Sequence, residues 1–491
     1  WQHIHDPNCY SRVYSGMYRI LTLFLLAAVF SCGHAQESTS IPQFANEANA
    51  ISGFLTVPEN RSDPSSRQIG LAYVVLKANS SAPKKDPIVY LMGGPGGSAT
   101  YTTGYWRNSQ LRRDRDFVIF DQRGTGLSTA VCPDFGSNIF DMVSKDLTPA
   151  EEAHTLLALA NACKVEMKSV GHDQGGYNTP ENVKDMEALR VHLGYEQWNL
   201  FGTSYGSILT LAYMREFPQN VRTSIMAALA PPQINFYADF LTNFSRSLNM
   251  VFEACANDKL CLKKYPNFKT DFYQVLEGLK SNPFNAKYNG KPFVLNAQDM
   301  LMLVQQYLYS KATIEQLPAL ITAIKDEDSR VVNNAIALVG ATMNVINVAM
   351  HWSFVAYDEY GDESVKTASL DDLTRYPELN NPGPAFFTPS KELIASWHDF
   401  REEPILSEPV SSNTPSLVAN GAFDPITPPA YAKEALKHLS NAFYAEFPTD
   451  GHSTFNPCYF GMIEAFLEHP ERAPDLGCAA NGRGFDWRQF Y

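Results

Sequence analysis

The sequence predicts an α/β fold: a mostly parallel sheet flanked by helices and interrupted, before its last strands, by a helical segment. Three observations lead there. Strand-like and helix-like stretches alternate from Ile51 to about Leu229 and again after about residue 412, the pattern of strand–helix–strand units around a parallel sheet. Between about Phe236 and about Pro404 the strand signal nearly vanishes and helical spacing dominates. Within the first block, Gly202-Thr203-Ser204-Tyr205-Gly206 joins an apolar strand to an amphipathic helix, the setting in which a G-x-S-x-G sequence performs chemistry.

The elements follow in order. Residues 51–57 and 69–77 read as strands, joined by a turn-rich stretch from Pro58 to Pro64 that holds Asn60, Ser62 and Asp63. Pro87 to Met92 and Phe117 to Phe120 are short apolar runs ended by polar or Gly-rich turns, as buried parallel strands are. Residues 147–168 have helical apolar spacing, and Glu181 to Leu193 is a second helix opened by Thr179-Pro180. Trp198 to Phe201 is a strand, Ile208 to Phe217 a helix stopped by Pro218, and Val221 to Leu229 a strand. The insertion shows helical patterns at 240–256, 298–309, 313–325 and 329–350. Ser416 to Ala419 and Ala442 to Phe447 are strands again, with helices at 429–439 and 458–468. The expected organisation is an upstream extension and export signal at 1–35, the first part of the α/β core at 36–235, a helical insertion at 236–404, and the second part of the core at 405–491.

The 491 residues are 45% hydrophobic and 19% charged, which suits a large buried core and opposes intrinsic disorder. Lys and Arg number 39 against 52 Asp and Glu, giving a net charge of −13 with no basic cluster. Phosphate backbones repel such a chain, so nucleic acid is not an expected partner.

Met17 is the first methionine, and Arg19 with the apolar run Ile20 to Phe30 reads as an export signal preceded by an upstream extension at 1–16. The run is shorter than the roughly 20 residues a membrane-spanning helix needs, and no later stretch is long and apolar enough. Gly33-His34-Ala35 offers small residues for cleavage before Gln36. The alternative is a lipoprotein: Val29-Phe30-Ser31-Cys32 is an imperfect lipid-attachment box, with Cys32 as the modified residue. Phe30 suits that box poorly, so simple export is preferred. Without Cys9 and Cys32, six cysteines remain: Cys132, Cys163, Cys255, Cys261, Cys458 and Cys478. An even count in an exported chain suggests disulfides. The local pairs 132–163, 255–261 and 458–478 are the simplest pairing, and six buried thiols are the alternative. No Cys-x-x-Cys occurs, and neither a metal nor an organic cofactor is expected.

A strand-to-helix turn at Ser204 would present its hydroxyl at the sheet edge, beside a helix N-terminus that favours developing negative charge. A serine hydroxyl is a weak nucleophile at neutral pH and needs a base with an orienting acid. Asn420-Gly421-Ala422-Phe423-Asp424-Pro425 follows one late strand and Asp450-Gly451-His452-Ser453 the next. Asp424 and His452 are the candidates, His452 to take the Ser204 proton and Asp424 to fix the imidazole tautomer. Asp450 is the rival carboxylate but lies close to His452 in sequence; His154, His172, His192 and His351 lack comparable placement and read as structural. Met92-Gly93-Gly94-Pro95-Gly96-Gly97-Ser98 directly follows a strand. Its backbone N–H groups could stabilise a tetrahedral oxyanion, with Gly94 as one donor, Gly93 second to it, and Tyr205 as the other donor. Asp121-Gln122-Arg123-Gly124-Thr125-Gly126-Leu127-Ser128 reads as a brace for that loop, with Ser128 a weak nucleophile candidate.

Taken together, MGGPGGS, DQRGTGLS, GTSYGS, GAFDPITPP and GHSTFNPC resemble, in this order, the proline iminopeptidase and tripeptidyl aminopeptidase branch of the α/β-hydrolases, nearest its secreted bacterial tripeptidyl-type members. The resemblance spans about residues 50 to 480. It implies an α/β-hydrolase fold, a Ser204/Asp424/His452 triad and a helical cap over the site. FEACANDKLC and the PC…GC spacing also resemble that family, in keeping with the disulfide pairing. Its members are exopeptidases because acidic cap residues bind the substrate's free α-amino group, a charge-assisted contact that a blocked N-terminus cannot make. Ser353 to Glu359 resembles a family stretch in which a Cys and an acid sit two apart: Tyr357 stands where the Cys would be and Glu359 matches the acid. Glu359 is the candidate anchor and Asp358 its rival, with a solvated acidic helix end as the alternative. The expected function is an exported serine exopeptidase acting through an acyl-enzyme on short peptides with a free N-terminus. A carboxylesterase on the same scaffold is the alternative, since fold does not fix substrate, and a non-catalytic binding protein is the third possibility.

Overall fold

The computed structural model describes residues 40–44, 47, 49–234, 239–343, 345–358, 397 and 407–488. The expected export signal with Cys9 and Cys32, and the candidate anchor Glu359, lie outside the described residues.

β1 (Ala50–Pro58) and β2 (Gln68–Leu76) pair antiparallel. β3 (Ile88–Leu91), α1 (Thr103–Trp106), β4 (Phe117–Phe120), α2 (Phe135–Val143), α3 (Pro149–Ser169) and α4 (Thr179–Leu193) follow, then β5 (Trp198–Thr203), α5 (Tyr205–Glu216) and β6 (Val221–Ala227). The sheet order is β1-β2-β4-β3-β5-β6-β9-β10, with β9 (Ser416–Gly421) and β10 (Ala442–Phe447) completing it. β2 meets β4 antiparallel, and every neighbour from β4 to β10 is parallel.

Both faces of this sheet are covered, so its central strands read as unbroken apolar runs rather than alternating ones. All four residues of β3 are buried. Val89 and Leu91 enter the larger core with the helices of one face, while Ile88 and Tyr90 enter the core on the other with Trp106, Phe117 and Phe201. The helix ends are set locally. Thr148 accepts from Glu151 N–H and Glu151 answers in a reciprocal cap, with Pro149 in the first turn of α3. Asn178 caps α4 through Glu181 N–H, and Gly194 ends it at φ 73°, a left-handed conformation glycine adopts without Cβ strain.

Between β6 and β9 run α6 (Phe240–Asn257), α7 (Lys259–Lys264), α8 (Phe268–Leu279), the hairpin β7 (Phe284–Tyr288) and β8 (Lys291–Leu295), α9 (Ala297–Tyr307), α10 (Lys311–Ile314), α11 (Leu317–Lys325), α12 (Ser329–Met343) and α13 (Val348–Asp358). Three features depart from the sequence reading. The hairpin is one: Asn289 and Gly290 both take positive φ, 50° and 79°, the two-residue turn that Asn-Gly favours. The pattern at 313–325 is split, with Pro318 in the first turn of α11. The continuous helix expected over 329–350 is broken before Val348, where Asn347 Oδ1 accepts from Met350 N–H and starts α13 afresh.

After β9 come α14 (Pro429–Leu436), β10, α15 (Pro457–Glu468) and α16 (Gly477–Ala480). Disulfides join Cys132 to Cys163, Cys255 to Cys261 and Cys458 to Cys478, the three local pairs. Disulfides persist in oxidising compartments, which suggests an extracellular environment. Among the described residues no helix is long and apolar enough to cross a membrane.

Candidate active site

Ser204 occupies the single residue between β5 and α5. Its backbone lies at φ 57°, ψ −125°, a region a non-glycine residue enters only under strain of roughly 1–3 kcal/mol. The surroundings hold it there. Ser204 N–H donates to Ala227 O at 2.9 Å, and Ser207 Oγ donates to Ser204 O at 2.6 Å. The motif's two glycines answer to close backbone approach. A Cβ on Gly202 would stand 2.1 Å from Gly206 O, and one on Gly206 would stand 2.0 Å from Leu91 O on β3.

Asp424, just past β9, is fully buried. Its Oδ1 accepts from Ile426 N–H and Thr427 N–H, both at 2.8 Å, and Thr427 Oγ1 donates to Oδ2 at 2.7 Å. His452 Nδ1 stands 3.0 Å from Oδ1 and 2.9 Å from Oδ2. An ionised carboxylate only accepts, so Nδ1 carries the proton and Nε2 is the acceptor in the neutral ring. Asp450 is engaged elsewhere: its Oδ2 accepts from Asn456 Nδ2 at 2.8 Å, and burial raises its carboxyl above the ordinary aspartate value.

Ser204 and His452 line one cavity of about 330 Å³, together with Gly93, Gly94 and Tyr205. Its walls are mostly apolar, with Tyr90, Phe240, Val339, Ile346 and Ile426 among them. No carboxylate stands among its described lining residues. Gly93 is pressed against the serine turn, where a Cβ would meet Thr203 O at 2.7 Å and Ser204 Cβ at 2.9 Å. Gly94, in contrast, is exposed and has φ 124°.

The turn after β4 braces this loop at one end. Buried Asp121 accepts from Thr100 N–H at 2.9 Å, Thr100 Oγ1 at 2.6 Å and Ser98 Oγ at 3.2 Å. Gln122 Nε2 donates to Met92 O at 2.8 Å. Arg123 points away and makes a two-bond contact with Asp185, both bonds 2.8 Å. Ser128 is used structurally, donating to Asp121 O and accepting from Ala72 N–H.

Asp358 ends α13 and is not among the cavity's lining residues. Its Oδ2 accepts from Thr179 Oγ1 at 2.6 Å, and Thr179 Oγ1 is also 2.6 Å from Tyr205 OH. Burial pushes its carboxyl up to about 7. Of the other histidines, His154 is exposed on α3, His172 packs on Tyr177 and His192 meets Tyr73 OH. His351 lines the cavity, although its sequence position carries no motif. Tyr309 does too, with its ring 4.8 Å from that of His452. Neither residue stands out in sequence, because only the packing of the insertion on the core brings them there.

Residues 86–456 match the family model of the alpha/beta hydrolase fold. The chain is 23% identical over 511 aligned residues to an Escherichia coli protein named "Putative hydrolase YuaR", covering 94% of this chain and 97% of that one. It is 28% identical to a tripeptidyl aminopeptidase of Streptomyces lividans over 37% of this chain and 35% of that protein, and 32% identical to a proline iminopeptidase of Xanthomonas citri over 27% and 28%. The matches to these two peptidases thus span about a third of each. Together these similarities support a hydrolase. With the parallel sheet, the serine turn between β5 and α5 and a family match across most of its length, the chain belongs to the alpha/beta hydrolase fold family.

Proposed function

We propose that this chain is an exported serine exopeptidase that releases residues or short peptides from free peptide N-termini through an acyl-enzyme. One observation carries the reading: Ser204, on a strained turn, and His452, hydrogen-bonded to buried Asp424, face one cavity. In this mechanism Ser204 Oγ attacks the scissile carbonyl while His452 Nε2 takes its proton. The N–H groups of Gly94 and Tyr205 stabilise the oxyanion, and the dipole of α5 adds to them. His452 then protonates the leaving amine, and a water activated the same way releases the acyl group. The substrate's α-ammonium is assigned to Glu359, with Asp358 as the rival. Substitution of Glu359 by Ala should then raise KM for free-amine peptides and leave an acetylated ester unaffected.

A carboxylesterase is the second reading, and the mostly apolar wall of the cavity, with Tyr90, Phe240, Val339, Ile346 and Ile426, suits an apolar acyl group. Matched chromogenic amides of one and three residues, each with free and acetylated N-termini, beside a simple ester, separate the two. Hydrolysis of the free-amine amides alone supports the exopeptidase, and the better length gives the number of residues released. Ester turnover alone, or indifference to acetylation, supports the esterase.

A further inference from the structure

The Gly-rich loop after β3 is held from two sides. Asp121 ties down Ser98 and Thr100 from the core. The opposite hold comes from the insertion, at the break between α12 and α13. Ser98 N–H donates to Val345 O and Asn347 N–H donates to Gly96 O, both at 2.9 Å, and Gly97 and Ile346 form an antiparallel bridge between these bonds. In the first turn of α13, His351 Nδ1 stands 3.0 Å from Pro95 O. A carbonyl oxygen only accepts, so Nδ1 is the donor and the tautomer is set. Burial keeps the ring neutral by pushing it down to about 4. There is no slack in the fit: a Cβ on Gly96 would lie 2.5 Å from Asn347 O and 3.0 Å from His351 N.

We propose that His351 is a positioning residue for the hydrolytic step: its Nδ1–H bond to Pro95 O, acting with the paired segment 345–347, fixes where the Gly94 N–H stands relative to Ser204. The inference rests on the reading of Gly94 as an oxyanion donor. Its consequence is that the insertion is part of the catalytic apparatus as well as a wall of the cavity. With the α12–α13 segment undocked, the donor loop loses one of its two holds, so turnover requires that segment in place.

The test compares His351→Ala and His351→Asn with the unaltered chain, using p-nitrophenyl acetate as substrate and phenylboronic acid, which binds a serine as a tetrahedral anion, as inhibitor. Displacing a reacting geometry by about an ångström, or losing one oxyanion donor, costs on the order of a hundredfold. His351→Ala is expected to lower kcat about tenfold to a hundredfold, weaken phenylboronate by a similar factor and leave KM within about twofold. Asn, whose amide nitrogen takes the place of Nδ1, should recover most of both losses. An unchanged kcat and boronate affinity in the Ala variant, no recovery in the Asn variant, or a change in KM alone would overturn the proposal. Ser204→Ala, assayed beside them, separates the underlying reading: turnover in that variant contradicts the serine mechanism, whereas an unaffected His351→Ala beside an inactive Ser204→Ala overturns the role of His351 and leaves Ser204 as the nucleophile.

Discussion

Replacing Asp424 with Asn probes the imidazole without disturbing its packing. Asp424 Oδ1 accepts from Ile426 and Thr427 N–H, and the amide oxygen of Asn can keep both bonds. The amide nitrogen then takes the place of Oδ2, between Thr427 Oγ1 and His452 Nδ1. The threonine hydroxyl can turn from donor to acceptor, but the ring nitrogen can meet an N–H donor only by giving up its proton. The proton moves to Nε2, the atom that must accept from Ser204. A base in the wrong tautomer loses about 10⁴ in kcat, or about 5 kcal/mol of barrier. Because the side chain keeps its volume and most of its bonds, the melting temperature should move by only a few degrees. Burst-free steady-state turnover of p-nitrophenyl acetate near pH 7.5, beside a thermal melt, measures both. An Asn variant with more than about a tenth of the parent kcat would refute the reasoning, and so would activity lost together with the fold.

Three other outcomes follow from the same geometry. Gly206→Ala drives a methyl into the backbone oxygen of Leu91, which has no rotamer to turn away, and should lower stability by about 3 kcal/mol; an unchanged melting temperature would contradict the close approach. Loop-closure entropy scales with span, so losing the Cys132–Cys163 bond, 31 residues apart, should cost about 4 kcal/mol against about 2 for Cys255–Cys261, 6 apart, in denaturant titrations of the double Ser variants; a reversed order would count against that account. Burial raises Glu152 to about 7, and nearby Asp299 is also raised by burial and by the charge of Glu152. Between the unfolded Glu value near 4.5 and pH 7 the folded chain holds protons that the unfolded chain releases, so stability falls as pH rises through that window. Glu152→Gln should flatten this slope and raise the melting temperature at pH 8 but not at pH 4; a parallel shift at both would contradict it.

What was legible in the sequence was local. Short apolar runs bounded by Gly and Pro marked the core strands, because a sheet buried on both faces leaves no other pattern. Ser204, Asp424 and His452 stand out as candidates because each follows a strand whose signal is strong, Ser204 immediately after β5 and the other two in the loops after β9 and β10. The insertion was less readable. Asn289-Gly290 carried a hairpin signal, but Phe284–Tyr288 and Lys291–Leu295 are too mixed in burial to alternate cleanly. The break near Ile346 was hidden because Val345-Ile346-Asn347 continues an apolar helical period, and the bonds that draw it out of the helix come from Gly96 and Ser98, some 250 residues earlier in the chain. The role proposed for His351 depends on that same long-range pairing, and no spacing along the sequence encodes it.

The central claim is that Ser204 is a nucleophile activated by His452. Labelling with a fluorophosphonate, followed by peptide mapping, tests it most directly. The account predicts one adduct on the peptide that carries Ser204, absent in Ser204→Ala and slowed at least a hundredfold in His452→Ala. An adduct on another residue, or labelling at an undiminished rate without His452, would contradict it.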